Sequence, residues 1–144
     1  MYIEQISVFV QNKPGSSAAV TKVLGEGGVN IRAMALADTS RYGILHLIVD
    51  DPKKGFEVLK DAHFTLSCTD VIAVQLGDEP GDLSRVLEIL GSGGYNVEYA
   101  YAFITRRASS AVVILRVDDV GTGSLELLKN NGVKLLTRDE VYSM

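Results

Sequence analysis

Residues 6–30 read ISVFVQNKPGSSAAVTKVLGEGGVN, and residues 72–96 read IAVQLGDEPGDLSRVLEILGSGGYN. Laid over each other at a shift of 66, they agree at ten of 25 positions. Ile6, Val8, Pro14, Gly15 and Val20 meet Ile72, Val74, Pro80, Gly81 and Val86; Leu24, Gly25, Gly27, Gly28 and Asn30 meet Leu90, Gly91, Gly93, Gly94 and Asn96. A match at fixed spacing marks a repeated structural unit. It resumes at a shift of 68, where Val49-Asp50-Asp51 meets Val117-Asp118-Asp119. At a shift of 69, Glu57, Leu59 and Lys60 meet Glu126, Leu128 and Lys129. The second copy is therefore longer between its second and third strands, with Arg106-Arg107 expected at the solvated tip of that hairpin. The boundary falls near residues 69–71 with almost no linker, so the copies are 1–70 and 71–144.

Each copy reads in the same order. Ile6, Val8 and Val10 alternate with polar positions, as a half-buried strand does. Pro14-Gly15 breaks the strand. Ala19, Val20, Val23 and Leu24 then recur at helical spacing, with Ser16 as the expected cap and Gly25, Gly27 and Gly28 as the stop. Strands follow at 29–37 and 44–49, with a turn between. A helix opens at Pro52 and carries Phe56, Leu59 and Ala62. A short strand at 64–68 closes the copy. The second copy places strands at 72–77, 95–104, 111–117 and 133–137 and helices at 82–91 and 122–131. Its first helix is expected to bury Leu83, Val86, Leu87 and Leu90. Strand–helix–strand–strand–helix–strand is the ferredoxin-like pattern. The fold class expected is α+β: two ferredoxin-like βαββαβ modules with antiparallel sheets, packed as an intrachain pseudo-dimer.

Many unrelated functions use this fold, so the loops must supply the function. Asn12-Lys13-Pro14-Gly15, a helix, and then Gly27-Gly28-Val29-Asn30-Ile31 resemble the ACT domain, the amino-acid-sensing module of biosynthetic enzymes. The likeness is closest to the serine-binding module of phosphoglycerate dehydrogenases, and it occurs once per copy. The resemblance implies a free amino acid bound where two ACT modules meet, near the edges of their second strands. It implies that the loop asparagine and the second-strand asparagine reach the ligand: Asn12 and Asn30 in the first copy, Asp78 and Asn96 in the second. A helix start suits a carboxylate, because its first amides lack internal partners and carry partial positive charge. The candidate ligand residues are therefore Asn12, Pro14, Gly15, Ser16, Ser17, Asn30, Ile31, Asp38 and Thr39, with Asp78, Gly81, Asp82 and Asn96 in the mirrored position. Asp78 favours an ammonium but repels a carboxylate, so the mirrored site should be weaker or empty. Small and polar residues at 35–40 rank serine, histidine and other polar amino acids above branched aliphatic ones. Arg32 and Glu98, equivalent in the repeat, are expected to pair with each other at a two-fold joint.

The remaining composition sets bounds. The net charge is -4 over 144 residues with scattered basic residues, which offers nothing to nucleic acid. No apolar run nears the ~20 residues of a membrane span. The start of the chain reads as a strand and carries no signal peptide, which points to the cytoplasm. One cysteine, Cys68, excludes an internal disulfide and reads as an inert residue of a short strand. Cys68, His46 and His63 show no metal-ligand spacing, so no metal or cofactor is expected. His46 is expected as a buried contact and His63 as a solvated residue. Tyr95, Tyr99, Tyr101 and Phe103 are expected to pack between sheets or subunits, with a ligand-facing wall as the alternative. No carboxylates or histidines converge, so no catalytic residue is assigned. The expected function is a non-catalytic regulator or sensor of a free amino acid, with a homodimer and a partner metabolic enzyme expected. The alternatives are a small enzyme on a ferredoxin-like dimer and an assembly module without a ligand.

Overall fold

The computed structural model describes residues 1–38, 41–103, 110–119 and 121–144, with the backbone alone for Asp38. The order is β1 (Ile3–Gln11), α1 (Ser16–Glu26), β2 (Ile31–Asp38), β3 (Tyr42–Val49), α2 (Pro52–Asp61) and β4 (Thr65–Gly77). There follow α3 (Asp82–Ser92), β5 (Val97–Phe103), β6 (Ser110–Val117), α4 (Gly123–Asn130), β7 (Lys134–Leu135) and α5 (Arg138–Tyr142). The chain forms two compact units. One holds Glu4–Thr69 with Tyr142–Met144; the other holds Asp70–Val141 with Met1–Ile3.

In the amino-terminal unit the strands lie in the order β2-β3-β1-β4. β1 runs antiparallel to β3, with Ile6 opposite Leu47 and Gln11 opposite Tyr42. β2 runs antiparallel to β3, with Ile31 opposite Val49 and Asp38 opposite Gly43. Alternation sends Ile6, Val8 and Val10 to one face, where they meet Val20 and Leu24 of α1 and Leu59 of α2. Each such side chain contributes roughly 1.5–3 kcal/mol on burial. Ala19, expected in the α1 stripe, is exposed. Asp51 caps α2, its carboxylate accepting from the Lys54 amide at 3.1 Å, and Pro52 fills the first helical position. The tail closes this unit: the Glu4 amide donates to the Tyr142 hydroxyl at 3.0 Å, and Arg32 Nε donates to the Tyr142 carbonyl at 3.1 Å.

In the carboxy-terminal unit β6 lies between β5 and β4, and β7 pairs with β4. Ile72, Val74, Val86, Leu90, Leu115 and Leu128 form its core. Leu83 and Leu87 do not join them, at 41% and 37% exposure. Helical spacing identifies a stripe but not which flank of it meets the sheet. Here the buried face centres on Val86 and Leu90, with Ile89 packed beside them. The amino-terminal tip completes this unit. The Tyr2 hydroxyl donates to the Gly121 carbonyl, and Arg138 Nε donates to the Tyr2 carbonyl at 2.9 Å.

Two further expectations are corrected. The strands expected at 64–68 and 72–77 are one strand, β4, because nothing between Thr65 and Leu76 is a Gly or Pro breaker. The strand expected at 133–137 shrinks to Lys134–Leu135, since Thr137 starts a helix instead. Its hydroxyl accepts from the Glu140 amide at 3.2 Å, and the Glu140 carboxylate accepts from the Thr137 amide at 2.8 Å, a reciprocal capping box.

Candidate functional site

β1 ends at Gln11 and the chain turns into α1 through Asn12-Lys13-Pro14-Gly15. The Asn12 amide donates to the Arg41 carbonyl at 3.1 Å, which ties the loop to the start of β3. The Lys13 amide donates to the Gln11 carbonyl at 2.9 Å, and the Ser16 amide to the Lys13 carbonyl at 3.3 Å. Gly15 takes φ 85°, a left-handed backbone that a side chain would strain. Ser16 was the expected cap, but Gly15 holds the cap position and no side chain caps α1. A residue already inside the helix cannot fold its hydroxyl onto the amides that follow. The helix start therefore keeps its partial positive charge unscreened by any carboxylate of the loop. Asn12, Pro14 and Gly15 are exposed, while Ser16 and Ser17 are half-buried.

Asp38 reaches the same end of the sheet through its backbone, opposite Gly43. Thr39 lies outside the described residues, as do Ser40 and Arg106-Arg107. Asn30 and Ile31 stand elsewhere. The Asn30 amide donates to Asp50 Oδ1 at 2.9 Å, and its carbonyl accepts from the Asp50 amide at 2.9 Å. Ile31, next to it, marks the far end of the register, seven residues along β2 from Asp38. At ~3.3 Å per residue the separation is ~23 Å. Asn30 is exposed, whereas Ile31 packs against the core. The structure thus brings Asn12, Pro14, Gly15, Ser16, Ser17 and the Asp38 backbone to one end, and leaves Asn30 and Ile31 at the other.

The mirrored loop repeats the backbone. Gly81 takes φ 92°, the Asp82 amide donates to the Glu79 carbonyl at 3.2 Å, and no side chain caps α3. Its charge is different. Asp78, Glu79 and Asp82 stand where the first loop has Asn12, Lys13 and Ser16. Asp82 also leans back across the loop: a Cβ on Gly77 would come within 2.8 Å of its Oδ2. The chain therefore lays its own carboxylate over this mouth, a feature the repeat would have exposed through the Gln11-to-Gly77 difference. Asn96 mirrors Asn30, exposed, with its carbonyl accepting from the Asp118 amide at 2.9 Å.

Other singled-out residues find structural places. His46 is buried beside Gln5 and Ser7. His63 is exposed at φ 66° and closes α2. Cys68 lies in β4 but is exposed. Burial pushes the Tyr101 phenol upward, with the neighbouring Tyr99 adding to it. Arg32 Nε donates to the Tyr142 carbonyl, and Glu98 pairs with Arg116 at 3.6 Å. Each charge is used inside its own unit. Among the described residues no group of three or more His, Cys, Asp and Glu side chains is placed to hold a metal. No described helix is long and apolar enough to cross a membrane.

Comparison with known proteins places this geometry. A family model described as an ACT domain pair matches residues 1–144. The crystal structure of protein BT0572 from Bacteroides thetaiotaomicron is similar over 100% of this chain and 98% of that one, at 35% identity and a TM-score of 0.92. The regulatory subunit of aspartate kinase from Thermus thermophilus, in its ligand-free form, is similar over 88% and 91%, at 16% identity and a TM-score of 0.63. The corresponding subunit from Thermus flavus covers 88% and 90%, at 17% identity and a TM-score of 0.60. No curated protein matches.

Proposed function

This chain belongs to the ACT domain pair family, and from that premise we propose that it is a non-catalytic regulator that binds a free amino acid. The uncapped start of α1 behind Asn12-Lys13-Pro14-Gly15 carries the proposal. The amino acid's carboxylate meets the backbone at Gly15, Ser16 and Ser17, where partial positive charge faces no acid of the loop. Asn12 offers its amide group to the ligand's polar atoms. Asn30 stands too far along the sheet to touch a ligand held by its own loop. It serves a ligand only at the loop of another ACT module. A polar side chain such as that of serine or histidine is favoured, since a buried acceptor left unpaired by an aliphatic ligand costs ~1–3 kcal/mol.

The protein acts in this reading as a homodimer in the cytoplasm and controls a metabolic enzyme. Met34 and Leu36, both exposed on the edge strand β2, support self-association. Light scattering at micromolar concentration should return twice the chain mass; a monomer mass counts against the dimer. A thermal-shift panel of the twenty amino acids tests the ligand class. At 100 times its dissociation constant a ligand adds ~2.7 kcal/mol. Polar amino acids should raise the midpoint most, and a stronger response to valine or isoleucine overturns the ranking.

A further inference from the structure

We propose that the Arg32 guanidinium is an exchangeable carboxylate seat, filled at rest by the chain's own tail until a small carboxylate-bearing molecule replaces it and frees residues 142–144. β2 and β5 each break register at one residue, between Ile31 and Ala33 and between Val97 and Tyr99. The residues set in those bulges are Arg32 and Glu98, equivalent in the repeat. A bulge re-aims its side chain away from the regular ladder. In the carboxy-terminal unit the charge is answered: Arg116, on the strand beside it, pairs with Glu98 at 3.6 Å. In the amino-terminal unit the place of Arg116 is taken by Ile48, which is fully buried. Position 48 therefore offers Arg32 no counter-ion, and among the described residues no carboxylate pairs with it.

Arg32 is half-buried all the same. A cation drawn that far from water is normally paired. What it holds is a neutral group: Nε donates to the Tyr142 carbonyl at 3.1 Å. The Tyr142 hydroxyl accepts from the Glu4 amide at 3.0 Å, so the end of the chain is fastened to both β1 and β2. A guanidinium is a flat fork of donors whose matching partner is a carboxylate, bound through two parallel bonds, each about twice as strong as a bond to a neutral oxygen. A carboxylate thus outcompetes the carbonyl at Nε and also takes a terminal nitrogen that the carbonyl leaves unused. The acids on the adjoining segments are Glu4 of β1, Asp50 after β3 and the terminal carboxylate; none of them pairs with Arg32. The seat is separate from loop 12–17, because Arg32 lies at the end of β2 remote from Asp38. It therefore stands or falls independently of the ligand assigned to that loop.

The chain has three methionines, and methyl-labelled methionine spectra of the full-length wild-type protein read them one by one. Met144 reports the tail, Met34 reports β2 two residues from Arg32, and Met1, in the other unit, is the control. Sodium acetate should move Met144 saturably toward the position of free methionine and leave Met1 still. Acetamide, the neutral isostere, and sodium chloride at equal ionic strength should not move Met144. Organic acids and amino acids share the carboxylate, and glycine separates them. A lower midpoint for glycine than for acetate assigns the seat to amino acids, and a higher one assigns it to organic acids. Arg32→Gln should remove the acetate response. Tyr142→Phe loosens the competing tail but keeps the guanidinium, so it should lower the acetate midpoint several-fold. No movement of Met144 with acetate, equal movement with chloride, or a wild-type response in Arg32→Gln overturns the proposal. An unchanged midpoint in Tyr142→Phe overturns the exchange with the tail.

Discussion

Residues 12–17 and 78–83 occupy one place in the repeat and share one backbone, with Gly15 at φ 85° and Gly81 at φ 92°. Their charges are opposite. The first stretch carries Lys13 and no acid; the second carries Asp78, Glu79 and Asp82 and no base. The fold therefore asks for Pro-Gly and a left-handed glycine, and leaves the charge of the mouth free. The start of α1 faces no acid of its own loop, whereas the start of α3 already has the Asp82 carboxylate beside it. The repeat describes the scaffold, and the departures from it describe the function.

If the two copies are equivalent scaffolds, their cores should respond alike. Leu24 and Leu90 are both fully buried at matching helix positions. Leu24→Ala and Leu90→Ala should each destabilise the chain by ~2–5 kcal/mol in urea unfolding. A large loss from one and none from the other would break the equivalence. The loops should respond unalike. Asn12→Asp with Ser16→Asp should weaken amino-acid binding by ~1.5–3 kcal/mol or more, the scale of a hydrogen bond to a charged group. The reverse exchange, Asp78→Asn with Asp82→Ser, should create a second binding equivalent, which calorimetry would count. Equal affinity in the first variant would remove loop 12–17 from the account.

Smaller effects sharpen the same contrast. Gly15→Ala and Gly81→Ala should each cost ~1–2 kcal/mol, because both sites are left-handed and neither new Cβ meets any atom within 4 Å. Unequal costs would show that one loop is held by more than backbone strain. Asp82→Ser alone should cost only ~0.3–1 kcal/mol through the α3 helix start, and salt should abolish the difference. A larger, salt-insensitive cost would assign Asp82 a packing role against Gly77.

The element order was legible because Pro14-Gly15 and Pro80-Gly81 punctuate the chain and Val20, Leu24, Val86 and Leu90 mark the buried helical positions. Continuity of β4 was hidden because the repeat itself suggested a break between copies. The short β7 was legible in principle: Thr137-Arg138-Asp139-Glu140 spells a capping box. For the candidate site, the loop could be read from residue types, but the separation of Asn30 from it could not. The 14 residues between Gly15 and Asn30 include α1, which carries the chain ~16 Å back along the sheet. Only the strand register converts that path into distance.

The most direct test is calorimetric titration of the full-length wild-type protein with each of the twenty amino acids. The account predicts saturable binding of a polar amino acid at one equivalent per chain, at loop 12–17. Absence of binding by every amino acid would contradict the proposed function, and two equal equivalents per chain would contradict the contrast between the loops.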